Sequence, residues 1–481
     1  MRSYTYTTMY SHRIVTRICL TASLIGSIVS VPLNKVSHHP VVLVVSFDGF
    51  RYDYLNKVDT PALHELKMGG VSVPYMEPVF PTKTFPNHQS IATGLYAESH
   101  GIVDNTFFDP EHNKILSGFT DDPGFWNYHP DVLPLWIRNE MAGEGRTSGC
   151  LMWPGSSQPY GIKNDSLPTY YYPKYNGSVS WEYRVETVIS WITDDTKPAN
   201  LVFLYFDEPD THGHAFGPNR KETLEEISKV DNRTAYLVSK LKEADIFDQI
   251  NLIVLSDHGM QEVKEERMVN ITALIDRSLL KARYGGTPVL QLIPRDGKGE
   301  ELYASLSSHS KSHNFTIWTK QEMHYRLRYG VSRRVLDFVV LSDVGYVFDD
   351  FKKSISRYEK RWNYKADPER EYGVHGYNPE EPSMRPFFIA RGPAFRKGFE
   401  YQPIKNIDVV PLISEILSLP KFPSNGSLER VVEMIDSEFI SSTTTIRPIA
   451  NLGSFSSSSD KVLSSVFTII PILTLGLRIY L

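Results

Sequence analysis

Three short apolar runs, each ending in a cluster of polar residues, constrain the fold of this chain more than any other feature. They are "VVLVVSFDGF" at 41–50, "LVFLYFDEPD" at 201–210 and "NLIVLSDHGM" at 251–260. A continuous apolar run of this length is typical of a strand buried on both faces of a parallel sheet. The polar end of each run then lies at the carboxyl end of its strand, where open α/β sheets bind their ligands.

Segments with helical periodicity lie between these runs, at 60–68, 132–141, 181–193 and 221–244. Strands that alternate with helices predict an α/β fold with three layers, in which a mostly parallel central sheet carries helices on both faces. We place this folded domain at 38–436. The net charge of −5 and the mixing of basic with acidic residues argue against a surface that binds a nucleic-acid polymer.

Acidic residues and histidines follow the three predicted strands or lie in glycine-flanked loops. The candidates are Asp48 in "SFDGF", Asp210 and His214 in "EPDTHGHAFGP", Asp257 and His258 in "SDHGM", and His375 in "YGVHGYNP". Oxygen and nitrogen ligands without a thiolate suit zinc or a similar divalent ion in an open site.

Each candidate also has an ordinary interpretation. Asp48 is compatible with a turn cap, Asp257 and His258 with surface turn residues, and His375 with a loop histidine. His212 competes with His214 as a ligand. Because all the candidates fall at one predicted edge of the sheet, a shared site explains them better than these separate roles.

The stretch "EPVFPTKTFPNHQSIATGLYAESHG" at 77–101 presents one threonine between two prolines, Pro81 and Pro86. Proline is tolerated in the first turn of a helix, so the pattern predicts a helix that begins here with Thr84 as its N-cap. The alternative is a hydroxyl directed at a substrate, because a helix N-terminus favours negative charge.

Five motifs occur in order between about 41 and 420: "VVSFDGFRYDYL", "VFPTKTFPNHQSIATGLYAESHGIVDN", "EPDTHGHAFGP", "SDHGM" and "GVHGYNP". Together they resemble the ecto-nucleotide pyrophosphatase/phosphodiesterase family of the alkaline phosphatase superfamily. The resemblance implies an alkaline-phosphatase-like fold and hydrolysis of nucleotide pyrophosphate and phosphodiester bonds to nucleoside 5'-monophosphates. Within that family, the chain resembles the short, membrane-anchored members.

The resemblance also implies roles for individual residues. One zinc ion would be held by Asp210, His214 and His375, and a second by Asp48, Asp257, His258 and the oxygen of Thr84. Thr84 matches a nucleophile that forms a covalent intermediate, and Asn105 matches a residue that helps to hold the phosphate oxygens. Phe85 and Tyr175 match aromatics that sandwich a nucleobase, with Trp153 in the same pocket. Divalent ions other than zinc are an alternative.

Two features depart from the family pattern. The family usually carries disulfides in this domain, but the chain has only two cysteines. Cys19 falls within residues 1–30, which resemble a signal peptide, so Cys150, expected on a buried strand, is left without a partner for a disulfide. Ser157 stands where many relatives have an aspartate, so substrate preference is open. A phospholipid or choline phosphodiesterase with the same metal site is one alternative, and a catalytically silent adhesion ectodomain is another.

Both ends of the chain predict a cell-surface protein whose catalytic domain is extracellular. Residues 1–30 resemble a signal peptide, and six sequons predict N-linked glycans, at Asn164, Asn176, Asn232, Asn270, Asn314 and Asn425. A Ser/Thr-rich stalk at 437–461 precedes an apolar tail at 462–481. The tail is compatible with a glycosylphosphatidylinositol (GPI) attachment signal or a C-terminal transmembrane helix.

Overall fold

The structure is a computed structural model and describes residues 36–440 apart from 121, 366 and 368. The predicted signal segment at 1–30, the apolar tail at 462–481 and nearly all of the stalk lie outside these residues. Among the helices of the described part, none combines the length and the apolar character that crossing a membrane requires.

An eight-stranded sheet forms the centre of the molecule. In chain order its strands are β1 (Val41–Phe47), β2 (Val71–Ser72), β3 (Ser148–Leu151), β4 (Tyr170–Tyr171), β5 (Leu201–Phe206), β6 (Ile250–Leu255), β7 (Phe388–Arg391) and β8 (Phe399–Glu400). In space their order is β8-β2-β7-β6-β1-β5-β3-β4. Within this sheet only β7 runs against the other described strands, which confirms the prediction of a mostly parallel sheet.

The three apolar runs form adjacent strands at the middle of this sheet. β1 lies between β5 and β6, so that Val44 pairs with Phe203 on one side and with Ile253 on the other. All residues of the three strands are buried, as an apolar run without alternation predicts. The strands end before the predicted boundaries because the chain turns at the polar residues Asp48, Asp207 and Ser256.

Helices cover both faces of the sheet. The helices Pro61–Met68 and Trp181–Ile192 pack against the long helix Lys221–Glu243, and Thr84–Thr93 packs against Leu135–Met141 and Val409–Ile416. Apolar residues of the long helix recur every three or four positions on its buried side, as in Ile227, Val230 and Leu241. The three-layer prediction is therefore confirmed. The remaining helices are Ala97–His100, Pro123–Trp126, Asp210–Phe216, Ile271–Leu274, Gly299–Ser310, Lys320–Leu327 and Lys352–Trp362.

A second sheet was not predicted from the sequence. Its four antiparallel strands lie in the order Leu280–Gly286, Val289–Pro294, Phe338–Ser342 and Phe315–Thr319. It shares a separate apolar core with the helix Gly299–Ser310. Four two-stranded pairs complete the fold: Met76–Glu77 with Ile404–Lys405, Thr106–Asp109 with Lys114–Ser117, Gln261–Lys264 with Glu371–Val374, and Met268–Val269 with Val347–Phe348.

A buried ion pair connects the segment just before the strand Phe338–Ser342 of the second sheet to the strand Thr106–Asp109. Arg334 donates to Asp109 Oδ2 at 3.0 Å and also to the carbonyl oxygens of Gly101 and Phe125. These bonds satisfy a cation that is almost fully buried. Cys150 lies on β3 and is fully buried, so burial raises the pKa of its thiol well above the usual range.

Gly49 provides a test of how closely the strand ends approach one another. It has φ +69°, and a Cβ added there would lie 2.9 Å from the Cα and Cβ of Asp210. Gly143 has a similar φ of +71° with no atom within 4 Å of an added Cβ. We expect Gly143→Ala to lower the free energy of unfolding by about 1 kcal/mol through backbone strain, and Gly49→Ala to lower it by clearly more. Thermal unfolding of the two variants measures this; equal losses would show that the close approach costs nothing.

Candidate active site

Two groups of acidic residues and histidines lie at the carboxyl edge of the central sheet. The first group is Asp210, His214 and His375, and the second is Asp48, Asp257 and His258. Within each group, one potential ligand atom per residue lies within 4.8 Å of the others. Asp48 follows β1, and Asp257 and His258 follow β6. Asp210 and His214 are one turn apart on the helix after β5, and His375 follows the strand Glu371–Val374.

The three histidines share one orientation. Each directs Nδ1 at a backbone carbonyl oxygen: His214 at Gly373, His375 at Thr82, and His258 at Gly259, at 2.8–2.9 Å. Because Nδ1 then carries the proton of a neutral ring, the lone pair of Nε2 points into the site.

The Nε2 atoms of His214 and His375 lie only 3.1 Å apart. Two lone pairs at this separation repel each other, so this geometry favours a cation between them.

Carboxylate oxygens lie close to these Nε2 atoms and could bind the same cations. Asp48 Oδ1, Asp210 Oδ1 and Asp257 Oδ2 are buried without a hydrogen-bond partner. Each lies 3.0–3.5 Å from an Nε2 atom of His258 or His375. Buried polar atoms are normally satisfied, so unpaired carboxylate oxygens facing unprotonated nitrogens fit a divalent ion in each group.

Burial and charge shift the pKa values of these groups. Burial, together with the carboxylates of Asp257 and Asp210, raises the pKa of Asp48 well above its usual range. Burial also acts to raise the pKa of Asp257, but the positive charge that His258 and His88 carry when protonated outweighs it and lowers that pKa to about 2. Negative charge is therefore held unequally across the second group.

The ordinary interpretation of Asp257 and His258 as surface turn residues does not match the structure. Asp257 and His258 are fully buried rather than on a surface turn, and His375 is nearly so. His212 faces away from His214 and lies 2.9 Å from Glu208, with Glu226 as its second acidic neighbour. Since Glu226 also pairs with Lys229 and Arg233, that cluster has its own compensating charge.

Thr84 does not cap its helix. Lys83, with φ −120° and ψ 158°, is the N-cap, and Thr84 is the first helical residue of Thr84–Thr93. The prediction of Thr84 as N-cap was wrong because the chain reaches its helical conformation one residue earlier than the pattern suggested, at Thr84 itself. The Thr84 hydroxyl makes no capping hydrogen bond and lies 3.3 Å from His258 Nε2, at the second group.

A network of buried polar residues holds this helix start in place. Lys83 Nζ donates to both carboxylate oxygens of Asp104, at 2.9 and 2.8 Å. Asp104 accepts the N–H of Asn105, whose Oδ1 accepts the N–H of Phe85 at 2.9 Å. The Asn105 side chain lines the cavity with its carbonyl oxygen engaged, so its amide nitrogen is the group left for a ligand oxygen.

His88 is a site residue that the sequence did not reveal. Its Nδ1 donates to the Thr84 carbonyl at 2.8 Å and lies 3.4 Å from Asp257 Oδ2, while Ser46 donates to its Nε2. His88 lies in the fully buried part of the helix and so connects Thr84 to the second group. The sequence signal was present in "FPNHQS", but nothing there distinguished it from a core histidine.

The two groups open into a cavity of about 840 Å³ whose walls are partly aromatic. Phe85, Trp153 and Tyr175, which the family resemblance assigns to a nucleobase pocket, all line it. Phe85 and Trp153 are only 8% and 2% exposed, so they form walls, whereas Tyr175 is 45% exposed. Phe119, which was not predicted, is 75% exposed and lies 4.9 Å from Phe85, ring centre to ring centre.

The helix Lys352–Trp362, which also was not predicted, forms another part of the cavity wall. This part consists of Ser354, Arg357, Tyr358, Arg361 and Trp362. The ring of Tyr358 stacks on that of His214 at 6.2 Å, so this helix borders the first group. Tyr205 borders the second group, since its hydroxyl donates to Asp48 Oδ2 at 2.6 Å.

Comparison with known proteins agrees with this arrangement. A model of the family described as "Type I phosphodiesterase / nucleotide pyrophosphatase" matches residues 42–378. Human ectonucleotide pyrophosphatase/phosphodiesterase family member 5 is 37% identical over 403 residues, which are 82% of this chain and 78% of that protein. Human bis(5'-adenosyl)-triphosphatase is 35% identical over 390 residues, or 81% of this chain and 80% of that protein.

A solved structure of the murine family member 5, an inactive variant with one threonine changed to alanine, contains AMP. It superposes with a TM-score of 0.73 at 38% identity and covers 82% of this chain and 100% of that chain. The fold is thus the alkaline-phosphatase-like one that the motifs implied.

Metal content tests the two groups directly. We expect about two divalent ions for each chain, because each group presents three protein ligands without a thiolate. Asp48→Asn should lower the content by about one ion. Glu226→Gln is the matched control, since it changes a carboxylate of an acid/histidine cluster that already has cationic partners. Elemental analysis of the purified variants decides; equal metal loss in both variants would contradict the assignment.

Proposed function

This chain belongs to the type I phosphodiesterase / nucleotide pyrophosphatase family, a family of hydrolases, and we propose that it releases nucleoside 5'-monophosphates from nucleotides through a covalent intermediate on Thr84. The observation that carries this proposal is the position of the Thr84 hydroxyl, which makes no capping hydrogen bond and lies at the second group, 3.3 Å from His258 Nε2. Within the described residues this hydroxyl has no other hydrogen-bond partner, and Thr84 lines the cavity, so the hydroxyl is available to a ligand there.

Zinc is the ion that best suits a set of three carboxylates and three imidazoles. Asp210, His214 and His375 would hold one ion, and Asp48, Asp257, His258 and the Thr84 oxygen the other. When bound, two such ions supply Lewis-acid stabilisation of the attacking oxygen and of the phosphate oxygens.

The residues of the chain position the reaction. Thr84 Oγ attacks phosphorus, the bond to the leaving-group oxygen breaks, and water later cleaves the Thr84 phosphoester and restores the hydroxyl. The network of Lys83, Asp104 and Asn105 holds the helix start rigid, so binding places the phosphate next to the nucleophile. The Asn105 amide would donate to a phosphate oxygen.

The aromatic wall supports a nucleotide rather than a simple phosphate ester. Phe85 and Tyr175 offer ring surfaces to a base, and Phe119 extends the same wall at the cavity mouth. AMP in the murine relative agrees with this choice. Aromatic residues also cage choline ammonium groups, and Ser157 lines the cavity where many relatives have an aspartate, so a choline phosphodiester is the second candidate.

Thr84 variants test the proposal. Thr84→Ala should abolish hydrolysis of nucleotide substrates, because the covalent step loses its oxygen, whereas Thr84→Ser should retain part of it. The full-length protein is assayed against ATP, a dinucleoside triphosphate and a choline phosphodiester, with metal content and thermal unfolding measured on every variant. Hydrolysis by Thr84→Ala at a rate near that of the wild type would show that the nucleophile is another group.

The panel also separates the alternatives. Turnover of the choline phosphodiester alone would assign the pocket to choline, and no turnover of any substrate by metal-loaded wild type would favour a silent ectodomain. Chelation should remove activity and added zinc should restore it, because ligands without thiolates hold ions exchangeably.

We propose the cell surface as the location, with the catalytic domain extracellular and N-linked glycans at some of the six sequons. If the tail at 462–481 is a GPI signal, a phosphatidylinositol-specific phospholipase should release the enzyme from intact cells. Mass spectrometry of surface-purified protein provides the control. A peptide from 462–481 in that material would establish a transmembrane anchor instead.

A further inference from the structure

Two arginines on one helix face the cavity from the side of the first group. Arg357 and Arg361 lie four residues apart on the helix Lys352–Trp362, together with Ser354 on the same side. Residues at i and i+4 are neighbours on a helix surface, so the two guanidinium groups lie above one another along a single wall.

Among the residues that the structure describes, no carboxylate compensates the charge of these arginines. Both are exposed, and neither forms an ion pair with any described acidic residue. Arg357 donates to Ser354 Oγ at 3.2 Å, and the Arg361 guanidinium lies 5.6 Å from the ring centre of Trp362. The helix itself carries five basic residues and one acidic residue. Both guanidinium groups could therefore donate hydrogen bonds to an anion in the cavity.

Their position matches the leaving side of the reaction. Thr84 attacks from the second group, so the leaving group departs on the opposite side of the phosphorus. With the phosphate between the two groups, as the proposed function requires, that side faces the first group, which the helix borders through the stacking of Tyr358 on His214. The base-binding wall lies elsewhere, because Tyr175 lies 6.0 Å from Tyr205, which is bonded to Asp48 of the second group.

We propose that Arg357 and Arg361 form a subsite for the phosphate groups of the leaving group. The subsite makes the enzyme selective for nucleoside triphosphates or dinucleoside polyphosphates over nucleotide esters with an uncharged leaving group. This inference rests on the proposed function, since it names the substrate class of the same site. Arginine suits the task because its planar fork donates two parallel hydrogen bonds to phosphate oxygens.

Kinetic selectivity tests the subsite. In the full-length protein, the double variant Arg357→Ala/Arg361→Ala should lower kcat/KM for ATP by about tenfold or more. Its kcat/KM for the p-nitrophenyl ester of thymidine 5'-monophosphate should stay within about twofold, because that leaving group carries no phosphate.

The matched control is Lys353→Ala/Lys360→Ala. It removes the same charge from the same helix at positions outside the cavity, and it should leave both rates within about twofold. Arg357→Lys/Arg361→Lys keeps the charge without the fork and should recover only part of the ATP rate.

A binding measurement separates this inference from the proposed function. In the Thr84→Ala background, the affinities for ATP and for AMP are measured by calorimetry on metal-loaded protein. The preference for ATP over AMP should disappear when both arginines are replaced, whether or not the wild type hydrolyses nucleotides. An unchanged preference, an equal loss of rate for both substrates, or an equal effect of the lysine control would each overturn the subsite.

Discussion

The close approach of buried carboxylates at one sheet edge is the constraint on which the rest of the site depends. The potential ligand atoms of Asp48 and Asp257 lie within 4.8 Å of each other. The backbone N–H of Asp210 donates to the carbonyl oxygen of Asp48. Two like charges 4 Å apart repel by about 4 kcal/mol in a typical protein environment. Three imidazoles with free Nε2 atoms face these oxygens. Cations are the natural compensation for such a cluster.

Rigid surroundings turn this cluster into a directed site. β1 and β6 are fully buried at the centre of the sheet, so the residues that follow them have little freedom. The helix that begins at Thr84 is buried along its whole length and is tied to Asp257 through His88. The cavity in front is lined by several aromatic residues and by a helix that carries two arginines. Preorganised groups of this kind bind and orient a charged, base-bearing ligand without large rearrangement.

The sequence predicted the central strands, the helices beside them and the gathering of acidic residues and histidines at one sheet edge. The prediction succeeded because doubly buried strands leave long apolar runs, and because polar residues after such runs must meet at one edge. It was wrong about the cap at Thr84, where helix entry depends on the conformation of Lys83. It missed the antiparallel sheet, whose outer strands Leu280–Gly286 and Phe315–Thr319 are only partly buried and carry no comparable apolar run.

The sequence by itself determined that acidic residues and histidines gather at one edge of the central sheet, because most of them follow buried strands. It placed Thr84 beside them only through the family resemblance. Only the tertiary structure decided which histidine nitrogens face inward and that His212 belongs elsewhere, since backbone carbonyls such as that of Gly373 set the ring orientation. It also decided that Phe119 and a helix some 270 residues after Thr84 share one cavity with it. Contacts between distant segments depend on how layers pack, and no local pattern encodes that packing.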